Sequence, residues 1–186
     1  MKKIGRCLII NHYDCLTPEE YEALDTYIEM QFEKIDHPDM QYMLRHGLLF
    51  PDRIPKDWDT LPDEWEEIME TKGIVNLYDY ELEKYLEKWL RLLGHAYWVL
   101  GIKQARRDLL QRCADYVYNF IFAHASGGRE QKAAVAGSHP LYKKVLDRLI
   151  DEEKQLSEIS GLVRKWEKVE FSISRAITNR AGKPTR

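Results

Sequence analysis

The fold is decided by residues 141–180, which read LYKKVLDRLIDEEKQLSEISGLVRKWEKVEFSISRAITNR and contain no proline. Apolar side chains recur in this stretch at alternating steps of three and four residues. Such spacing is typical of a helix that buries one stripe, of a/d type, against a partner helix. The stripe consists of Tyr142, Val145, Leu149, Glu152, Leu156, Ile159, Val163, Trp166, Glu170, Ile173 and Ile177. Glu152 and Glu170 are the only misfits, so the pattern predicts one continuous helix.

A second segment of the same kind runs from about Tyr78 to Phe122, also without proline. Small residues from Ala123 to Gly137 indicate a loop between the two segments, and Ser138 before Pro140 is a start signal for the second helix. Two long helices joined by one loop most simply fold back as an antiparallel hairpin. Their apolar surface is too broad for one partner helix, so we expect a third helix or self-association to cover the surplus.

The chain before the hairpin has shorter elements and most of the prolines. Thr17, Pro18 and Glu20 form a helix-start signal, and a short helix around Trp65 should end at Gly73. Residues 4–10 are an apolar stretch that suits an edge strand or an extended arm. The sequence therefore predicts an all-α fold class. It should comprise a smaller, acidic, mostly helical region at residues 1–77 and a basic long-helix hairpin domain at residues 78–186.

The charge of the chain is divided between its two halves. Residues 1–90 hold 10 Lys/Arg and 21 Asp/Glu, a net charge of −11, whereas residues 91–186 hold 18 and 10, a net charge of +8. The formal net charge of −3 conceals this contrast. A basic half can attract polyanions, and an acidic half can repel them or cover the basic face.

Cations of the basic half are interleaved with aromatic side chains. This composition suits single-stranded nucleic acid, because cations follow the phosphate backbone and rings stack on bases. The alternative interpretation of the same pattern is a solvated polar face with the aromatic side chains in the core. The candidate DNA-binding residues are Lys103, Arg106, Arg107, Arg112, Arg129, Lys132, Lys143, Lys144, Arg148, Arg164, Lys165, Arg175 and Arg180, with Tyr116 and Tyr118.

The sequence predicts no catalytic residue, no metal and no cofactor. No serine or cysteine occupies a nucleophile elbow, and the Gly127-Gly128 turn lacks the Gly-Lys-Ser/Thr ending of a phosphate-binding loop. Cys7, His12 and Cys15 lie close in sequence but do not have the spacing of a zinc site. No apolar run approaches the roughly 20 residues that span a bilayer. With no membrane segment and three cysteines, the chain is expected in a reducing, cytoplasmic setting.

Two elements of the hairpin resemble a known family. Residues 143–146 read Lys-Lys-Val-Leu, and residues 171–180 read Phe-Ser-Ile-Ser-Arg-Ala-Ile-Thr-Asn-Arg. They are similar to the Lys-x-Val-Leu opening and the Ser-x-x-x-Ala-Ile-x-x-Arg close of UvsY-type phage recombination mediators. Lys88-Trp89-Leu90 and Asp115-Tyr116 resemble further family elements, so the resemblance covers about residues 80–181. The chain departs from the family at Gln111-Arg112-Cys113, where the family has a more basic Lys-Ala-Arg element.

The resemblance implies a non-enzymatic, helical, ring-forming protein that binds single-stranded DNA. Such a mediator helps to load a RecA-like recombinase onto strands coated by single-stranded-DNA-binding protein. It implies a homo-oligomer and, for a phage-encoded protein, a location in the host-cell cytoplasm. Two other hypotheses stay open on the residues alone. One is a helical structural or assembly subunit of a virion or nucleoprotein complex, and the other is an inhibitor whose acidic half mimics nucleic acid.

Overall fold

The structure is a computed structural model that describes residues 15–36 and 54–181. The described residues form five α-helices and no strand, which confirms the all-α fold class. The expected strand or arm at residues 4–10 lies outside the described part of the chain. The helices are α1 (Pro18–Asp36), α2 (Leu61–Thr71), α3 (Asp79–His124), α4 (Arg129–Ser138) and α5 (Pro140–Ala181), with a 3-10 turn at Ile74–Asn76 between α2 and α3.

The first helix begins, and the second helix ends, where the sequence predicts. At the start of α1, the Glu20 backbone N–H donates to Thr17 Oγ1 at 3.2 Å, and the Thr17 N–H donates to Glu20 Oε2 at 2.8 Å. This reciprocal pair is a capping box, which satisfies two donors that the first turn leaves unpaired. After α2, Gly73 has a φ of +68°. Glycine adopts that left-handed conformation at no steric cost, so the helix ends there.

The region between the long helices differs from the expected loop, because it contains α4. Ser138 closes α4 rather than opening α5, and its hydroxyl donates to the Ala134 carbonyl at 2.6 Å. His139 takes the capping role instead, since its Nδ1 accepts the Leu141 N–H at 3.2 Å. The sequence pattern missed α4 because alanine-rich small-residue runs suit a helix as well as a loop.

The described chain divides into two compact units, and neither is continuous in sequence. The first unit combines residues 15–36 with 105–153, and the second combines 54–104 with 154–181. This division differs from the expected boundary between residues 77 and 78. The reason is that each N-terminal helix packs onto its own part of the hairpin, so α1 belongs to the first unit and α2 to the second. These two helices are the third helices that the surplus apolar surface predicts.

In the first unit, α1 buries one apolar stripe against the two long helices. Leu24, Ile28, Phe32 and Ile35 are all buried, and they share a core with side chains of α3 and α5. These partners include Leu110, Val117, Ile121, Val145 and Leu149. Tyr118 of α3 lies against Tyr142 of α5, with ring centroids 5.4 Å apart. Residues near the end of α3 thus face residues near the start of α5, as an antiparallel pair requires.

In the second unit, tryptophans form the centre of the core. The ring centroids of Trp89 on α3 and Trp166 on α5 lie 5.7 Å apart, and Trp65 of α2 lies 6.4 Å from Trp89. All three are buried. Residues 79–104 of α3 and 154–181 of α5 also pair in antiparallel fashion, because Asp79 at the start of α3 contacts Arg180 near the end of α5.

A buried histidine lies at the edge of this second core. His95 is 4% exposed, its ring lies 5.0 Å from that of Trp58, and its Nδ1 has no hydrogen-bond partner among the described residues. Burial lowers the pKa of His95, because the charged form loses its hydration.

We therefore expect acid to destabilise the protein through His95. The side chain is neutral in both states at high pH, but below about pH 6.5 the unfolded chain binds a proton that the folded chain does not. The free energy of unfolding of the wild type should fall as the pH decreases from about 6.5 towards the lowered folded pKa. Denaturant titrations across this range should show a weaker pH dependence for His95→Gln. Parallel curves for the two proteins would rule out His95 as the source.

Candidate nucleic-acid interface

Three candidate cations of the first unit face carboxylates of α1. Lys144 Nζ lies 2.6 Å from Asp25 Oδ1 and also pairs with Glu29. Hydrogen bonds to Asp25 and Glu29 raise the pKa of Lys144, because they favour its charged form. Arg106 and Arg148 both pair with Asp36 at the last residue of α1. Phosphate contact at these cations stays a prediction, and it would require the ion pairs with α1 to open.

Arg106 also explains one misfit of the heptad stripe. Its Nε lies 3.6 Å from Oε1 of Glu152, and the Glu152 side chain is only 8% exposed. A carboxylate can occupy a buried position when a cation of the neighbouring helix accompanies it. Glu152 is therefore matched to Arg106 across the antiparallel pair of α3 and α5.

The Arg180 guanidinium is hydrogen-bonded to the turn that precedes α3 and to the first residue of α3. Its Nη1 donates to the Leu77 carbonyl at 2.6 Å and to Asp79 Oδ1 at 2.8 Å. Its Nη2 donates to the carbonyls of Val75 at 2.9 Å and Ile74 at 3.2 Å. Both terminal nitrogens of the guanidinium are thus occupied by two acceptors each. In this arrangement Arg180 supports the fold and has little capacity left for a phosphate.

Three further candidates contact acceptors on the surface of their own unit. Such exposed pairs are weak, so these cations can exchange partners readily. The contacts are Lys103 with the Gln155 amide oxygen, Arg107 with Asp108 at 3.2 Å and Lys165 with Glu66 at 2.8 Å.

The remaining six candidate cations form no ion pair within residues 15–36 and 54–181. Four lie in the first unit and two in the second. They are Arg112, Arg129, Lys132 and Lys143, followed by Arg164 and Arg175. All are exposed except Lys132, which is half-buried. Their charge is therefore the most available to a polyanion.

An aromatic cluster lies beside one of these free cations. The Tyr118 and Phe122 rings, one turn apart on α3, are stacked with an interplanar angle of 21°. Tyr142 of α5 meets Tyr118 edge-on, and Lys132 Nζ of α4 lies 5.9 Å from the centroid of the Phe122 ring. All four side chains are half-buried, so each presents part of its surface to solvent. We call Tyr118, Phe122, Tyr142 and Lys132 the aromatic cluster.

Tyr116 lies on a different face from Tyr118. Its ring centroid is 4.6 Å from that of Tyr27 on α1, and it therefore belongs to the side of α3 that α1 covers. Two residues along a helix correspond to a rotation of about 200°, which places Tyr118 on the opposite side. The sequence grouped both tyrosines as candidates, but only Tyr118 stacks on Phe122, the ring that Lys132 contacts.

Two members of the aromatic cluster were not among the candidate residues. Phe122 and Tyr142 are visible in the sequence as aromatics interleaved with the cations, but nothing there distinguishes them from core residues. The usable signal was the spacing of four between Tyr118 and Phe122, which puts both rings on one face of α3. The contact with Tyr142 depends on the register of the hairpin and is not readable from local spacing.

The described residues carry no group of three or more His, Cys, Asp or Glu side chains that could hold a metal ion. Cys7 and His12 lie outside that part of the chain. Within it, every helix is too short or too polar to cross a membrane.

No family model matches the chain, and no curated protein or solved structure matches it either. The similarity to UvsY-type mediators thus stays a prediction from the residues.

Proposed function

We propose that this protein binds single-stranded nucleic acid through the aromatic cluster and the free cations beside it. The observation that supports this most is the contact of Lys132 with the Phe122 ring, next to the stacked Tyr118. A cation beside half-exposed rings can hold a phosphate while a base stacks on the ring. Arg129 and Lys143, at the starts of α4 and α5, add charge in the same unit.

In this role the protein catalyses no reaction. Its role would be to occupy DNA and to present it, in line with the resemblance to mediators that load a RecA-like recombinase in the presence of single-stranded-DNA-binding protein. The cations that face α1 are reserved for intramolecular ion pairs. The cations that pair with α1 thus stabilise the first unit, and the cations without an ion pair among the described residues contact phosphate.

Binding to a fluorescent oligo-dT strand should weaken steeply with salt. Each phosphate contact to a single strand contributes about −0.7 to the slope of log K against log salt concentration. In the variant Lys132→Gln/Lys143→Gln, the slope should therefore become shallower by about 1.4. Fluorescence anisotropy titrations at several salt concentrations measure both slopes.

The matched control is Lys56→Gln/Lys84→Gln, which removes two exposed lysines that form no ion pair among the described residues. It should keep the wild-type slope. A second arm uses Phe122→Leu, which removes a ring but keeps an apolar side chain of similar size. Loss of stacking on one base should weaken binding by about fivefold or more. Absence of binding at low salt, or equal losses in both lysine pairs, would contradict the proposal.

A further inference from the structure

Besides the face that packs into the tryptophan core, α3 has an outward stripe of side chains on the side away from that core. Glu83, Glu87, Leu90, Gly94 and Tyr97 follow one another at steps of four and three residues, so they lie on one face. Leu90 is 52% exposed and Tyr97 is 44% exposed, although both are large and apolar. We call these five residues the α3 outer stripe. It is acidic at its first two positions and apolar beyond them.

An outward stripe of the opposite charge runs along α5 in the same unit. Arg164, Lys168, Phe171 and Arg175 also follow at steps of four and three, and Phe171 is 63% exposed. The three cations form no ion pair with any described residue. We call these four residues the α5 outer stripe. Its apolar position is flanked by cations on both sides.

The two stripes border one groove. Leu90, Leu93, Gly94, Tyr97 and Phe171 line it together with Glu167 and Glu170, and the Tyr97 hydroxyl donates to Glu167. Since Asp79 contacts Arg180 at one end of the unit, the levels of the antiparallel helices are fixed. Glu83 and Glu87 lie at the level of Arg175, and Leu90 lies at the level of Phe171. The acidic end of one stripe is thus level with the basic end of the other.

We propose that a second copy of this chain covers this groove, related by a two-fold axis parallel to the helices. That operation places the α3 outer stripe of each copy over the α5 outer stripe of the other without changing the level. Leu90 then meets Phe171 of the other copy, and Glu83 and Glu87 meet its Arg175. Each contact occurs twice, as an isologous interface requires.

Charge complementarity between Arg175 and the pair Glu83 and Glu87 identifies the occupant as another copy of the same surface. An unrelated partner would need both an acidic and a basic stripe at the same spacing, whereas a second copy supplies them by symmetry. The interface closes with two subunits, in contrast to the ring that the family resemblance implies. It involves no residue of the aromatic cluster, so it does not rest on the proposed function.

Light scattering coupled to size exclusion, without nucleic acid, tests the interface. The wild type should have twice the 22.1 kDa mass of one chain. Phe171→Glu should weaken the dimer by about tenfold or more, because it puts a further carboxylate beside Glu167 and Glu170 and opposite Leu90 of the other copy. Ile54→Glu is the matched control. Ile54 is also an exposed apolar residue of this unit, but it precedes α2 and lies on neither α3 nor α5, so the variant should stay dimeric.

A charge exchange supplies the decisive comparison. Glu87→Arg and Arg175→Glu should each weaken the dimer by about fivefold or more, because each places like charges opposite one another. The double variant Glu87→Arg/Arg175→Glu should recover dimerisation. A monomeric wild type at the highest soluble concentration would overturn the proposal and leave the groove to a different partner. A double variant weaker than both single variants, or an unaffected Phe171→Glu, would overturn it too.

Discussion

Replacing Arg106 with leucine is expected to lower the free energy of unfolding by about 3 kcal/mol. The guanidinium lies 2.8 Å from Asp36 and 3.6 Å from Glu152, and the Glu152 side chain is 8% exposed. Removing the cation leaves the buried carboxylate without this compensation, which costs more than the ion pair itself contributes. Urea titrations followed by circular dichroism measure the difference.

Two further variants separate the pair from a general charge effect. Arg106→Leu/Glu152→Leu should recover most of the lost stability, because both charges then leave the interior together. Arg107→Leu should stay within about 0.5 kcal/mol of the wild type, since its ion pair with Asp108 is more exposed. An Arg106→Leu protein as stable as Arg107→Leu would show that the pair is loose. Arg106 would then be free to contact phosphate.

Arg180→Met should destabilise the protein by about 2 kcal/mol through loss of the turn before α3. The guanidinium serves the carbonyls of Ile74, Val75 and Leu77 together with Asp79. Methionine keeps the apolar stem of the side chain but supplies no donor. Because most of the acceptors are carbonyls rather than charges, the loss should persist at high salt. Thermal unfolding at low and high salt measures both effects.

Arg180→Lys is the informative control for this prediction. Lysine keeps the positive charge, but a single ammonium cannot reach acceptors that two guanidinium nitrogens share. It should therefore lose most of the stability that methionine loses. If lysine were as stable as arginine, the charge alone would matter. Arg180 would then return to the set of cations available for nucleic acid.

The helices were predictable because their signals are local. Thr17, Pro18 and Glu20 supply the start of α1, and long proline-free stretches with steps of three and four specify α3 and α5. The burial of Glu152 could not be predicted from local spacing, because a glutamate at a core position is a misfit until its partner is known. That partner, Arg106, is distant in sequence and meets it only when the hairpin has its register.

The candidate site was predictable in composition but not in arrangement. Counting charges identified the basic half correctly, yet it could not show that α1 places its carboxylates on Lys144, Arg106 and Arg148. Those pairs join residues more than a hundred positions apart in two of the three cases. The division into two units also depends on contacts between residues that are distant in sequence. The prolines and most of the acidic residues end near residue 78, but the boundary between the packed units does not lie there.

The discontinuity of both units has a consequence for synthesis on the ribosome. The surface against which α1 packs includes Val145 and Leu149, so its apolar face has no complete partner until the first turns of α5 have emerged. Likewise, the core into which α2 packs includes Trp166 of α5. Neither unit can therefore complete its core before its part of α5 is synthesised. The nascent chain must keep these faces from aggregating until the residues of α5 that cover them have emerged.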